Sequence, residues 1–210
     1  MRMWTLLLFV AFSSAAQTVV PVGHFESVAL HSGGHVVVRQ GATQRVTLIS
    51  GDLRAARIGV REGRLVIHNA GRKHGRHERL RVEVVTPDLT AVSVSNGGTL
   101  EIADAFSAQA TIAASVEQGG TIDIRPVAAD SVVASVYSGG KIFTHPRRTL
   151  TASVRSGGNV TYWGNPLVTR SIRDGGVIVK GKPAHAGKPL SALDLGPNAI
   201  QPIKPIAPIH

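Results

Sequence analysis

Val92-Ser93-Val94-Ser95-Asn96-Gly97-Gly98-Thr99-Leu100-Glu101-Ile102 is the stretch that decides the fold. Apolar and polar residues alternate on both sides of a Gly-Gly pair, which is the period of a strand. The phrase returns at Ala114-Ser115-Val116-Glu117-Gln118-Gly119-Gly120-Thr121-Ile122 and at Ala134-Ser135-Val136-Tyr137-Ser138-Gly139-Gly140-Lys141-Ile142. Further copies are Ala152-Ser153-Val154-Arg155-Ser156-Gly157-Gly158-Asn159-Val160 and Arg170-Ser171-Ile172-Arg173-Asp174-Gly175-Gly176-Val177-Ile178. A looser one reads Val28-Ala29-Leu30-His31-Ser32-Gly33-Gly34-His35-Val36. Successive Gly-Gly pairs from Gly97 onward are 22, 20, 18 and 18 residues apart.

A period of this size marks a stacked repeat. Two short strands meeting at a Gly-Gly corner describe one coil of a right-handed parallel β-helix or β-solenoid, with about 18–22 residues per coil. A leucine-rich frame is absent, and no 3.6-residue apolar stripe supports a helical repeat. Stacking predicts inward columns: Val94, Val116, Val136, Val154 and Ile172, then Leu100, Ile122, Ile142, Val160 and Ile178. Val92, Ala114, Ala134 and Ala152 join them. Ser93, Ser115, Ser135, Ser153 and Ser171 form an outward ladder. Asn96, Gln118, Ser138, Ser156 and Asp174 sit at the corner, where polar side chains serve turn backbone. Pro126, Pro146 and Pro166 mark a second corner at each strand end.

The N-terminal part is less regular. Strands are expected over 25–30, 35–39, 45–49, 57–60, 64–68 and 80–85, with 57–68 as a hairpin about Gly63. Gly33 and Gly97 are 64 residues apart, which fits either about three coils or one coil plus a hairpin excursion.

Residues 1–16 read as a secretory signal peptide: Arg2, the apolar run Leu6 to Phe12, and Ser14-Ala15-Ala16 before Gln17. The run is too short to span a membrane, and no other segment is long enough. The chain has no Cys, so neither a lipid-modified cysteine nor a disulfide is expected. Residues 17–182 form the solenoid domain. Residues 183–210 hold six of the eleven prolines and read as a flexible tail. Ile200, Ile203, Ile206 and Ile209 in that tail would share one side of an extended rod.

The formal charge is +10, falling to about +9 without residues 1–16, and the sequence pI is near 11.0. A basic exported chain favours anionic partners such as an acidic glycan or lipopolysaccharide; nucleic acid is not expected. The outward position two residues before each Gly-Gly holds His31, Ser95, Glu117, Tyr137, Arg155 and Arg173. Tyr137 beside Arg155 and Arg173, with Arg147 and Arg148 at a corner, forms a candidate clamp for a sugar bearing carboxylate or phosphate. The competing reading is a solvated strand face whose charges deter aggregation. A protein partner could instead use the tail or the end coil.

Glu101 and Asp123 fall on adjacent coils, at the roughly 5 Å carboxyl separation used by retaining glycosidases. No third acid or matched base accompanies them, so enzyme chemistry is the alternative rather than the leading reading. His74 and His77 lie in a basic run with Arg72, Lys73, Arg76 and Arg79, which would repel a metal ion. His31 and His35 flank Gly33-Gly34, and two ligands do not make a site. No metal, cofactor or catalytic residue is assigned.

Phe25-Glu26-Ser27-Val28, Val36-Val37-Val38-Arg39-Gln40-Gly41, Val46-Thr47-Leu48 and Ile58-Gly59-Val60-Arg61-Glu62-Gly63-Arg64-Leu65-Val66-Ile67 belong to one recognisable frame. With Leu80-Arg81-Val82-Glu83-Val84-Val85-Thr86-Pro87-Asp88-Leu89 and the Gly-rich strands after it, residues 22–182 resemble the head GIN domain family of auto-transporter adhesins. The resemblance implies an exported bacterial protein in the periplasm or at the cell surface, a β-helix-like solenoid, and an adhesive rather than catalytic role. It brings no catalytic residues. Nothing after residue 182 resembles membrane strands, so a self-contained autotransporter is not expected. Self-assembly through the end coil is the third reading.

Overall fold

The computed structural model describes residues 17–70 and 80–182. The expected signal peptide, the His74/His77 loop and the tail from 183 lie outside them. The described residues contain strands and no helix, so none is long and apolar enough to cross a membrane.

The strands are β1 (Thr18–Val20), β2 (Ser27–His31), β3 (His35–Gln40), β4 (Arg45–Ser50), β5 (Ala56–Arg61) and β6 (Arg64–Asn69). There follow β7 (Arg81–Thr86), β8 (Ala91–Ser95), β9 (Thr99–Ile102), β10 (Phe106–Glu117), β11 (Thr121–Asp123) and β12 (Val127–Val136). The last are β13 (Lys141–Thr144), β14 (Thr149–Arg155), β15 (Asn159–Tyr162), β16 (Leu167–Arg173) and β17 (Val177–Lys180). They form two sheets. One has nine strands in the order β1-β4-β7-β3-β9-β11-β13-β15-β17; the other has eight, β16-β14-β12-β10-β8-β2-β6-β5.

From β8 onward each repeat contributes one strand to each sheet, and neighbouring repeats pair in parallel. Ser93, Ser115, Ser135, Ser153 and Ser171 are in register, as are Leu100, Ile122, Ile142, Val160 and Ile178. The second column is buried in every layer, and both sheets feed one apolar core. Stacking therefore places like residues about 4.8 Å apart, and each layer buries the one before it.

Within the Gly-Gly corner the two glycines differ. A Cβ on Gly119 would meet nothing within 4 Å, whereas one on Gly120 would lie 3.1 Å from the Gly98 carbonyl oxygen and 2.6 Å from a Val94 methyl. The second glycine gives the close approach between layers, and its carbonyl accepts the Lys141 amide at 2.9 Å. The preceding polar residue is left-handed at Ser32, Asn96, Gln118, Ser156 and Asp174, with φ between 54° and 65°. The sequence marks Asn96, Gln118, Ser138, Ser156 and Asp174 as side-chain partners for the turn; the left-handed angle is a further demand on four of these, and Ser138 does not share it.

Stacking order departs from chain order near the start. β2 pairs in parallel with both β6 and β8, and β3 with both β7 and β9. The layer of β2 and β3 thus sits directly against the layer of β8 and β9, despite 64 residues between their glycine corners. The intervening chain runs outward through β4 and β5, returns as β6 and β7, then passes over the β2/β3 layer. β4 is antiparallel to β7 and to β1, and β5 is antiparallel to β6. The excursion is thus one parallel layer capped by reversed strands, which matches one coil plus a hairpin excursion rather than three coils, with β5 and β6 as the expected hairpin about Gly63.

The final layer also departs from the pattern. Ile172 is in register with buried Val154, yet it is 47% exposed because no strand lies beyond it among the described residues. In the column of Val92, Ala114, Ala134 and Ala152, the last layer carries Arg170.

Candidate functional site

The outer edge of the eight-stranded sheet carries the row next to the glycine corners. Arg57 registers on His68, His68 on His31, His31 on Ser95 and Ser95 on Glu117. Tyr137 follows Val136, which registers on Val116 and Val154, and Arg155 registers on Arg173.

The Arg155 guanidinium carbon stands 5.5 Å from the centre of the Tyr137 ring, which is 54% exposed. Arg155 and Arg173 are in register on neighbouring parallel strands, and neither has an ion-pair partner among the described residues. Like charges in this arrangement repel. Three of the expected clamp residues are therefore neighbours. Arg147 and Arg148 are not: they precede β14, and Arg155 ends it, so the seven-residue strand separates them by about 20 Å. They lie beside Ala129 and Asp130, whose carbonyls accept the Arg147 and Arg148 amides at 2.9 Å, and Arg148 has an exposed ion pair with Asp130 at 3.7 Å.

The histidines flanking Gly33-Gly34 do not meet; each turns to a neighbouring layer. His31 Nδ1 lies 2.5 Å from Ser95 Oγ, and His35 Nε2 donates to Glu101 Oε1 at 3.1 Å. Among the described residues no group of three or more His, Cys, Asp or Glu could hold a metal ion.

Glu101 and Asp123 are in register, as expected. Both are engaged. The hydrogen bond from His35 holds Glu101 below the usual carboxylate range; the charges of His35, Arg81 and Arg39 add to this, and burial opposes it. Arg125 Nε donates to Asp123 at 2.9 and 3.0 Å, and the Asp123 side chain is 8% exposed. A glycosidase acid needs a raised pKa. Glu101 moves the other way.

A further cluster was missed. Arg125 lies 5.6 Å from the Phe143 ring centre and 5.2 Å from that of Trp163, and the two rings are 6.2 Å apart. Its sequence signal is Asp123-x-Arg125, the acid ending β11 and the arginine in the turn just after it, with Phe143 in register beside Asp123. Trp163 Nε1 donates to the Lys182 carbonyl at 3.2 Å, and a Cβ on Gly181 would strike its ring. The part-exposed indole is thus in contact with both Arg125 and the 181–182 backbone.

The family model described as "Putative auto-transporter adhesin, head GIN domain" matches residues 24–113 and 107–166, over half of the chain. The chain belongs to the head GIN domain family. Solved structures are similar to this GIN-domain chain. One from Bacteroides fragilis, described as a putative adhesin, is 17% identical over 80% of this chain and 96% of that chain, with a TM-score of 0.44. A Parabacteroides distasonis protein described as a putative lipid binding protein is 12% identical over 80% and 96%, with a TM-score of 0.37. A Clostridium sporogenes protein described as a putative cell adhesion protein is 11% identical over 80% and 99%, with a TM-score of 0.39. Among curated proteins none matches the GIN-domain chain.

Proposed function

We propose that the protein is an exported, non-enzymatic envelope or surface adhesin that holds an anionic glycan, such as lipopolysaccharide or an acidic polysaccharide, on the Tyr137–Arg155–Arg173 row. Residues 1–16 direct export. Residues 17–182 form a right-handed parallel β-solenoid, and its stacked layers keep the row rigid. The observation that carries this reading is the register pair Arg155 and Arg173 beside a half-exposed tyrosine, with no acid paired to either among the described residues. A phosphate or carboxylate between the two guanidinium groups would convert their repulsion into paired charge-assisted hydrogen bonds. Tyr137 would offer its face to a sugar ring.

Retention on immobilised lipopolysaccharide and acidic polysaccharide across a salt series tests the reading. The account expects retention that weakens with salt and falls sharply in Arg155→Ala/Arg173→Ala. Equal retention of both proteins would mean that the basic charge acts diffusely and the row is no site.

A further inference from the structure

The two sheets do not end at the same level. The nine-stranded sheet continues past β4 to β1, whereas the eight-stranded sheet stops at β5, level with β4. Opposite β1 there is no strand among the described residues. A cleft of about 690 Å³ occupies this place, lined by all six residues of β5 together with Val20, Leu53, Val66 and His68. It therefore follows a whole strand, a length of about 20 Å.

The walls of the cleft have two characters. Ile58 and Val60 pair with Ile67 and Leu65, which are fully buried, yet both remain part-exposed because nothing follows them in the sheet. On the other face of β5 stand Arg57, Gly59 and Arg61, both arginines exposed and neither ion-paired among the described residues. An edge strand of this kind is a template for one more strand.

We propose that β5 is a strand-addition site for an extended segment of another protein, in which apolar residues alternate with acidic ones. Main-chain hydrogen bonds to β5 supply the pairing. The apolar residues cover Ile58 and Val60 and face Val20, and the acidic residues lie beside Arg57 and Arg61. Charge argues against a second copy of this chain. Pairing β5 with itself about Gly59 sets Arg57 opposite Arg61, and the other free edges, β1, β16 and β17, contain no acid. The chain's own remaining segments fit no better: residues 1–16 contain no Asp or Glu, 71–79 contain Glu78 among four Lys and Arg, and 183–210 contain Asp194 alone.

The test uses the purified protein and a fluorescein-labelled Val-Glu-Val-Glu-Val-Glu-Val peptide. Two controls accompany it: the same peptide N-methylated at alternate residues, and one with Lys for Glu. The proposal expects saturable binding of the first peptide and slowed amide exchange confined to 56–61. N-methylation and the Lys peptide should each weaken binding by about tenfold or more. Arg57→Glu/Arg61→Glu should lose the Glu peptide and gain the Lys peptide. Should that variant fail to fold, the N-methylation comparison on the unaltered protein decides. Equal binding of the N-methylated peptide, protection elsewhere, or no binding would overturn the proposal. So would protection, in the free protein, of the β5 amides that point away from β6, which would mean that the chain fills its own slot.

Discussion

Arg170 donates a hydrogen bond from Nη2 to the Tyr162 hydroxyl at 2.8 Å and lies in register beside Ala152. Every earlier repeat has Ala or Val in that column. Its guanidinium is also 5.8 Å from the Tyr162 ring centre. In the opposite sheet Lys180 is in register with Tyr162, and its Nζ donates to Asn165 Oδ1. The final layer thus puts a cation in a core column of each sheet. An inward charge is one way in which an edge avoids pairing with another chain. Self-assembly through a bare apolar end, the third sequence reading, meets this obstacle even though Leu167, Ile172, Val177 and Val179 are exposed there.

Replacing Arg170 by Ala should therefore promote association. The last layer would then repeat the one before it, and its apolar side chains would lose their charged neighbour. Sedimentation velocity over a concentration series should show oligomers in Arg170→Ala that are absent from the unaltered protein. A monomeric variant at all concentrations would show that Arg170 does not guard the edge.

The glycines of one corner should differ in cost. Both Gly119 and Gly120 have positive φ, at 85° and 110°. Gly119→Ala faces open space and bears mainly the left-handed backbone penalty, about 1–2 kcal/mol. Gly120→Ala adds overlap with the Gly98 carbonyl and a Val94 methyl, which forces neighbouring layers apart. It should cost several kcal/mol by denaturant unfolding, counting about 1–3 kcal/mol of overpacking on top of the backbone penalty. Equal losses would mean that the two glycines are needed only for their backbone angles.

Repetition made much of this legible. Once Ser93 and Ser115 are aligned, the register of every later layer and the columns of Leu100 and Val94 follow. The order of the early layers was not legible, because pairing β2 with β8 across 64 residues is a long-range choice that no local pattern reports. Arg170 was seen as a repeat residue, but its meaning depends on being last in the stack. The place of Arg147 and Arg148 was misjudged, since two corners of one coil are separated by a whole strand. Tyr137, Arg155 and Arg173 stand on neighbouring layers, as stacking of the repeats predicts, but that neither arginine has an acid partner among the described residues is a matter of side-chain placement that no repeat pattern reports.

The pairing of His35 with Glu101 gives a pH dependence with a definite sign. Glu101 is held below its ordinary value of 4.5, chiefly by the His35 hydrogen bond. A carboxylate with a lowered folded pKa contributes stability above its unfolded pKa and loses it as pH falls through the folded one. Between pH 6 and pH 3 the unaltered protein should lose more stability than Glu101→Gln, which has no charge to lose. Parallel melting-temperature curves for the two proteins would mean that the pair does not contribute.

The most direct test of the binding account compares two double variants with the same loss of charge at opposite ends of β14. Arg155→Ala/Arg173→Ala removes the register pair beside Tyr137; Arg147→Ala/Arg148→Ala removes two arginines at the other corner. Affinity for one acidic polysaccharide is measured for both by titration calorimetry at a fixed salt concentration. The account predicts a loss of about tenfold or more in the first variant and a small change in the second. Equal losses would contradict it, because binding would then follow net charge rather than the Tyr137–Arg155–Arg173 row.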